Sequence, residues 1–190
     1  MGNYKEKNSY GKRATGIVRR IDDLGRIVIP KEVRKTLKIR EGDPLEIFTS
    51  ENGEIVLKKY SPLGELNEFS QEYAESLGET LGHGVIVTDL DVIVATSNVT
   101  KKSYKNKDLS KELEVFLKNR QVKNSDDEKL IPLCEDDSMD YRYQIIIPII
   151  SSSGDCIGAI CLVSKKDEVL NKNDEKILKV AANFLGKQVQ

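Results

Sequence analysis

Eight basic side chains crowd the stretch from Arg19 to Arg40: Arg19, Arg20, Arg26, Lys31, Arg34, Lys35, Lys38 and Arg40, against the acids Asp22, Asp23 and Glu32. Five of them are arginines. An arginine carries a planar fork of donors that meets a phosphate or a guanine edge with two bonds, whereas a lysine brings a point charge. The chemistry such a set performs is recognition of a polyanion. From Glu41 to Leu57 the chain then holds five acids and no base. Residues 1–60 carry a net charge of +5 and the rest −6, so the near-neutral total hides a polarised molecule. Two readings of the basic stretch stand side by side, a solvated face and the electrostatic footprint of a nucleic acid.

The other reactive side chains form no catalytic set. There is one histidine, His83, flanked by Gly82 and Gly84, a place that suits packing or helix capping. Cys134, Cys156 and Cys161 show no C-x-x-C spacing and lie far from it in sequence, so the short-spaced ligand pairs of a zinc site are missing. Neither a G-x-S-x-G nor a P-loop pattern occurs. The acid pairs Asp126-Asp127 and Asp136-Asp137 fall in polar loops and read as solvated. The expectation is a protein that is not an enzyme and has no cofactor and no metal.

The elements that must position the basic residues are short. Residues 1–13 are polar and read as a disordered extension. Gly16 to Ile21 and Arg26 to Ile29 are β-branched runs separated by Asp22-Asp23-Leu24-Gly25, a turn in which Asp side chains bond nearby backbone donors and Gly25 tolerates positive φ. Pro30 ends the second run and suits the first turn of a helix over Lys31 to Leu37. Leu45 to Thr49 and Ile55 to Lys59 flank Asn52-Gly53, the strongest short hairpin signal. Residues 14–60 thus form a β-rich unit near the lower size limit for folding alone, with no disulfide or metal to help. Burial against a second copy is the expected solution, and a two-fold dimer doubles the basic patch to suit paired half-sites.

Residues 61–65 read as a linker and 66–190 as an α+β domain. Leu66, Phe69, Tyr73, Leu77 and Leu81 recur at helical spacing, for packing on the following sheet or on a partner helix. Val85–Thr88 and Val92–Thr96 form a hairpin around Asp89-Leu90-Asp91, Leu109 to Leu117 marks a helix, and 121–129 is a polar, mobile loop. Tyr143–Ile150 and Cys156–Ser164 are strands, and a last helix carries Ile177, Leu178, Ala181, Ala182 and Leu185 with Asn173 as cap. The order predicts helices gathered on one face of a sheet. No apolar run reaches the ~18–20 residues that cross a bilayer, and the first residues lack the apolar core of a secretory signal. The expected location is cytoplasmic.

The run from Ala14 to Arg34 (ATGIVRRIDDLGRIVIPKEVR), continuing through Arg40-Glu41-Gly42-Asp43-Pro44-Leu45-Glu46-Ile47 and Ile55 to Tyr60, resembles the DNA-binding domain of the AbrB transition-state regulators. The resemblance implies a swapped-hairpin fold in which two chains interleave their strands, and double-stranded DNA as partner. It implies DNA contacts at Arg19, Arg26, Arg34 and Lys35, to which the charge pattern adds Arg20 and Lys31. At Lys35 the charge is kept and the bidentate fork is lost. The second half, with Gly154-Asp155-Cys156-Ile157-Gly158-Ala159 between two strands, is similar to the closing hairpin of GAF domains and to sporulation regulators that join this domain to an AbrB-type head. That implies a nucleoid-associated homotetramer in the developing forespore, built from N-terminal dimers through the GAF-like half and activating or repressing sporulation genes. Two alternatives are an antitoxin built on the same swapped hairpin and a ligand-sensing GAF module that does not bind DNA. The GAF-like half serves assembly alone or also holds a small effector, for which Tyr141, Tyr143, Asp89, Thr96 and Cys156 are the candidate lining.

Overall fold

The computed structural model describes residues 17–99, 104–164 and 168–189. The expected N-terminal extension and the start of the first strand lie outside them. The chain divides into two compact units between Asp43 and Pro44.

In the first unit the expected turn forms. Gly25, at φ +75°, donates its N–H to Asp22 O at 3.0 Å, and Asp22 N donates to Arg26 O at 3.0 Å. The flanking runs, expected as strands, join no sheet among the described residues. The reason lies in their side chains: Val18, Ile21 and Val28 are 86%, 64% and 72% exposed. A lone two-stranded ribbon buries too little to hold its ladder. Helix α1 spans Lys31–Thr36 behind Pro30. It closes where Lys38 adopts φ +53° and Ile39 N bonds Arg34 O at 2.8 Å.

The second unit begins with the hairpin β1 (Leu45–Thr49) and β2 (Ile55–Lys59), paired from Leu45↔Lys59 to Thr49↔Ile55. Residues 61–65, expected as a linker, are instead helical. Helix α2 covers Pro62–Glu65, Ser61 Oγ caps it by accepting from Gly64 N, and Leu63 is fully buried. Helix α3 (Asn67–Leu81) leads into β3 (Gly84–Thr88) and β4 (Ile93–Ser97). Then come α4 (Lys111–Lys118), β5 (Tyr143–Ile150), β6 (Cys156–Ser164) and α5 (Lys172–Gln188). The strands form one antiparallel sheet in the order β4-β3-β6-β5.

Every residue of β3 and β4 is buried, and a sheet buried on both faces needs cover on both. The helices are therefore not gathered on one side. Leu63, Ala74, Leu77, Leu178, Ala181 and Leu185 pack from α2, α3 and α5 onto Val85, Val87, Ile145 and Ile160. On the opposite face Leu113 and Leu117 of α4, with Leu109, Leu133 and Tyr141, cover Ile86, Ile146 and Cys161. Helix α3 turns Ser70, Ala74, Leu77 and Gly78 inward, and this small-residue stripe leaves Phe69 and Tyr73 on the flank.

Two further expectations are corrected. The 121–129 loop is pinned: Lys123 is 1% exposed, exchanges backbone bonds with Ile146 at 2.9 and 3.0 Å, and Ser125 donates from N and Oγ to Glu175 Oε1. Its polar composition hides a buried lysine stem. The last helix is capped by Asn171, which forms a reciprocal box with Asp174. Asn173 lies two residues past the cap and donates its N–H to the Asn171 side chain at 2.8 Å.

Candidate nucleic-acid interface

The six basic residues singled out above fall into two groups on the first unit, all exposed. Arg19, Arg20 and Arg26 lie on the two arms that flank the Asp22–Gly25 turn. Lys31, Arg34 and Lys35 lie on α1 at i, i+3 and i+4, which places them on one side of the helix. Arg34 and Lys35 stand in its last turn, where a cation also suits the helix dipole.

Arg26 is the most tightly positioned of them. Asp22 Oδ1 accepts from Arg26 N at 2.8 Å and from Leu24 N at 3.0 Å, and Asp22 Oδ2 accepts from Arg26 Nε at 2.7 Å. The Arg26 backbone N–H, then its side chain, hold the Asp22 carboxyl below the ordinary carboxylate range. The guanidinium nitrogens beyond Nε remain available, since the side chain is 69% exposed. Sequence reasoning placed Asp22 in the turn and missed its hold on the Arg26 side chain; the i,i+4 spacing of opposite charges was the signal. Among the described residues Arg20, Lys31, Arg34 and Lys35 have no carboxylate partner.

The second domain holds a cavity of about 530 Å³ at one end of the sheet, lined among others by His83, Asn98, Tyr104, Asp140, Tyr141 and Glu168. That volume is in the range of small-ligand sites. Of the five lining candidates, Tyr141 is there. Tyr143, Asp89, Thr96 and Cys156 are not: Asp89 sits in the β3–β4 turn, Thr96 exchanges backbone bonds with the Gln71 side chain of α3, and Cys156 starts β6. Asp137 organises the cavity wall, accepting from Tyr104 Oη and Tyr141 Oη at 2.8 Å each and from Leu133 N and Met139 N. Burial, and then the Asp137 carboxylate, push both phenols up, so they stay protonated donors at neutral pH. Burial also raises the thiols of Cys134, Cys156 and Cys161, which disfavours the thiolate a nucleophile or metal ligand requires. Among the described residues no group of three or more His, Cys, Asp or Glu could hold a metal ion, and no helix is long and apolar enough to cross a membrane.

Outside the sheet, Phe69, Tyr73 and Phe184 form an aromatic cluster, with ring centroids 5.4 to 6.0 Å apart. Beside it on α5, Val180 is 68% exposed.

Residues 65–190 match the family described as stage V sporulation protein T C-terminal, transcription factor. Residues 18–64 match the family described as antidote-toxin recognition MazE, bacterial antitoxin. Stage V sporulation protein T of Bacillus subtilis (strain 168) is 47% identical over 178 residues, which span 94% of this chain and 99% of that protein. The transition state regulatory protein AbrB of the same organism is 56% identical over 50 residues, 26% of this chain and 51% of its own length. The GAF domain from Acinetobacter phosphoenolpyruvate-protein phosphotransferase superposes with a TM-score of 0.53 at 11% identity, covering 64% of this chain and 80% of that one. This last likeness establishes a GAF-type fold.

Proposed function

The chain belongs to the stage V sporulation protein T family, and on that premise we propose that it is a sequence-specific, DNA-binding regulator of sporulation genes. Residues 14–60 are the DNA-binding unit. Arg19, Arg26, Arg34 and Lys35 reach the groove, and Arg20 and Lys31 add phosphate contacts. The observation that carries this reading is a surface of exposed cations, four of which (Arg20, Lys31, Arg34 and Lys35) have no carboxylate partner among the described residues, on a unit whose β-branched side chains are uncovered in one copy. A second copy that interleaves its strands buries Val18, Ile21 and Val28 and brings the basic groups into a symmetric pair, matched to two half-sites.

The GAF-like domain then joins dimers into a tetramer. The aromatic cluster supports that role because Phe69 and Tyr73, packed on the edge of the core, run out into an apolar face where Phe184 and Val180 of α5 are 40% and 68% exposed. Bridging two heads raises apparent affinity through effective concentration. The 530 Å³ cavity supports a second role for the domain, holding a small effector. The protein acts on the chromosome in the cytoplasm of the developing forespore.

The likeness of residues 18–64 to an antitoxin family favours a second reading, neutralisation of a toxin. It accounts for the head alone, whereas the regulator reading accounts for 65–190 as well.

The test is binding to a duplex selected by the protein from random sequence. Log affinity is expected to fall linearly with log salt, with a slope set by the phosphates neutralised. Arg26→Ala is expected to weaken binding by about tenfold or more, the range for a lost base or phosphate contact, with an unchanged dimer. Affinity that ignores salt, or survives Arg26→Ala intact, overturns the reading. Stable capture of a small toxin without DNA binding replaces it with the second.

A further inference from the structure

The polar side chains around the cavity of the GAF-like domain are unequal in what they can offer. Tyr104 Oη donates to Asp137 Oδ1 at 2.8 Å. Tyr141 Oη donates to Asp137 Oδ2 at 2.8 Å and accepts from Gln144 Nε2 at 3.3 Å. Ser138 Oγ donates to Asp140 Oδ2 at 2.8 Å, and Ser164 Oγ donates to the Glu168 carbonyl. Asn98 Nδ2 donates to the carbonyls of Gly78 at 2.7 Å and His83 at 3.3 Å. A hydroxyl has one proton to give and an amide two. Each of these five side chains has therefore spent its protons on the protein itself.

What remains for a ligand is a set of acceptors. Asn98 Oδ1, the second oxygen of Asp140 and the Glu168 carboxylate all border the cavity. Asp140 and Glu168 are exposed, so they stand at its rim. His83 Nδ1 is buried without a hydrogen-bond partner, 3.4 Å from Glu168 Oε2 but out of line with it. Among the described lining residues there is no lysine or arginine. An anion here would meet two carboxylates and no side-chain hydroxyl or amide proton, and a charge taken from water without partners is costly. A cation bearing N–H groups meets its complement instead, in charge-assisted bonds about twice as strong as neutral ones. A volume of about 530 Å³ suits an organic molecule better than a bare metal ion.

We propose that this cavity takes a small organic cation, an aliphatic amine or guanidine, whose N–H groups supply the donors that the wall lacks and whose charge is met by Asp140 and Glu168. The inference rests on the effector reading of the same cavity. Lys101, Lys102, Lys165 and Lys166 follow closely on Val99 and Ser164 in the sequence, so anions are the necessary counter-probes.

The experiment is titration calorimetry of the full chain. Agmatine and putrescine are the cations, butanediol the neutral counterpart, and inorganic phosphate and cyclic AMP the anions. Agmatine is expected to bind once per chain, at least about tenfold tighter than butanediol, phosphate or cyclic AMP. Asp140→Asn and Glu168→Gln are each expected to weaken it about three- to fivefold, and together about tenfold, the range for exposed and screened charges. Glu112→Gln, at an exposed carboxylate of α4 outside the cavity lining, is expected to leave the affinity unchanged, which separates the cavity from general attraction to an acidic domain. Ser138→Trp, which fills the cavity from its rim, is expected to abolish binding. Failure of both cations to bind, or binding that ignores the Asp140 and Glu168 substitutions, overturns the cation assignment. Phosphate or cyclic AMP that binds instead, and is lost in Ser138→Trp, overturns the assignment and leaves the effector reading standing. Binding that survives Ser138→Trp for every probe overturns both.

Discussion

Asp22 and Arg26 hold each other twice, through the Arg26 backbone N–H at 2.8 Å and through its Nε at 2.7 Å. The carboxylate thus builds the turn and aims the side chain proposed to enter the groove, and it also offsets part of that side chain's charge. Asp22→Asn retains an oxygen for the backbone bonds and removes the negative charge. It is expected to tighten DNA binding by about two- to threefold near 50 mM salt and by nothing measurable near 300 mM, because exposed charges are screened. Filter binding or anisotropy at the two salt concentrations checks this. Since Arg26 depresses the Asp22 carboxyl, the turn's contribution is present above the unfolded value of about 4 and is lost only as pH falls through the lower folded one. DNA binding is therefore expected to show no Asp22-dependent change between about pH 5 and 8.

Val180→Asp places a charge on the exposed side of α5 beside Phe184. On a free surface it would change little. Beneath a partner helix it leaves a carboxylate desolvated and unpaired. Light scattering after size exclusion is expected to show half the mass of the unaltered protein, with the melting of the GAF-like domain unshifted. An unchanged mass excludes this face as the tetramer contact.

Lys123 gives a pH signature for the pinned loop. Burial lowers its pKa, so the folded state releases the proton at a pH where the unfolded chain, titrating near 10.4, keeps it. Stability from this residue therefore climbs as pH rises from the lowered folded value towards about 10.4. Tyr104 and Tyr141 act in the opposite sense above about pH 10, where the unfolded phenols ionise and the folded ones do not. Between pH 8 and about 10 the denaturant midpoint of the unaltered protein is expected to gain relative to Lys123→Met, whose apolar stem fills the same space without a proton. Parallel midpoints across that window would refute the assignment.

Gly186 lets α5 lie directly on β5. A Cβ there would stand 2.0 Å from the Ile150 carbonyl oxygen, a backbone atom that can yield only if the helix moves. Gly186→Ala is expected to cost about 3 kcal/mol, the upper range of overpacking, and to lower the melting temperature by about 10 °C. Calorimetry checks the shift, and a loss under about 2 °C would show that the helix can retreat without cost.

The parts of this fold that were legible in the sequence carry strong local chemistry. Asn52-Gly53 between two β-branched runs defined β1 and β2 to the residue, and the Pro30 boundary located α1. The parts that were not legible depend on distant partners. Ser61-Pro62-Leu63-Gly64 has the composition of a linker, and only the meeting of Leu63 with Gly158 and of Ser61 with Asp89 makes it part of the domain. The polar run around Lys123 reads as solvated because the Ile146 backbone and Glu175 that pin it are 23 and 50 residues or more away in sequence. In α3 the apolar stripe marked the packing side, with Leu77 in the core and Phe69, Tyr73 and Leu81 against it; Ser70, Ala74 and Gly78, the small residues that allow close approach to the sheet, carry no such signal. The candidate interface was legible as a set of charges. The internal partner of its central arginine came from the three-dimensional turn.

The uncovered rows of Val18, Ile21 and Val28 have a consequence for dosage. A head that completes its core only by borrowing strands has no useful monomeric form, so at low abundance the number of working heads follows the square of the number of chains made. A modest rise in synthesis then produces a disproportionate rise in occupied sites, and a modest fall silences them. A gene under such control behaves as though it has a threshold, set by chain abundance before any effector is present.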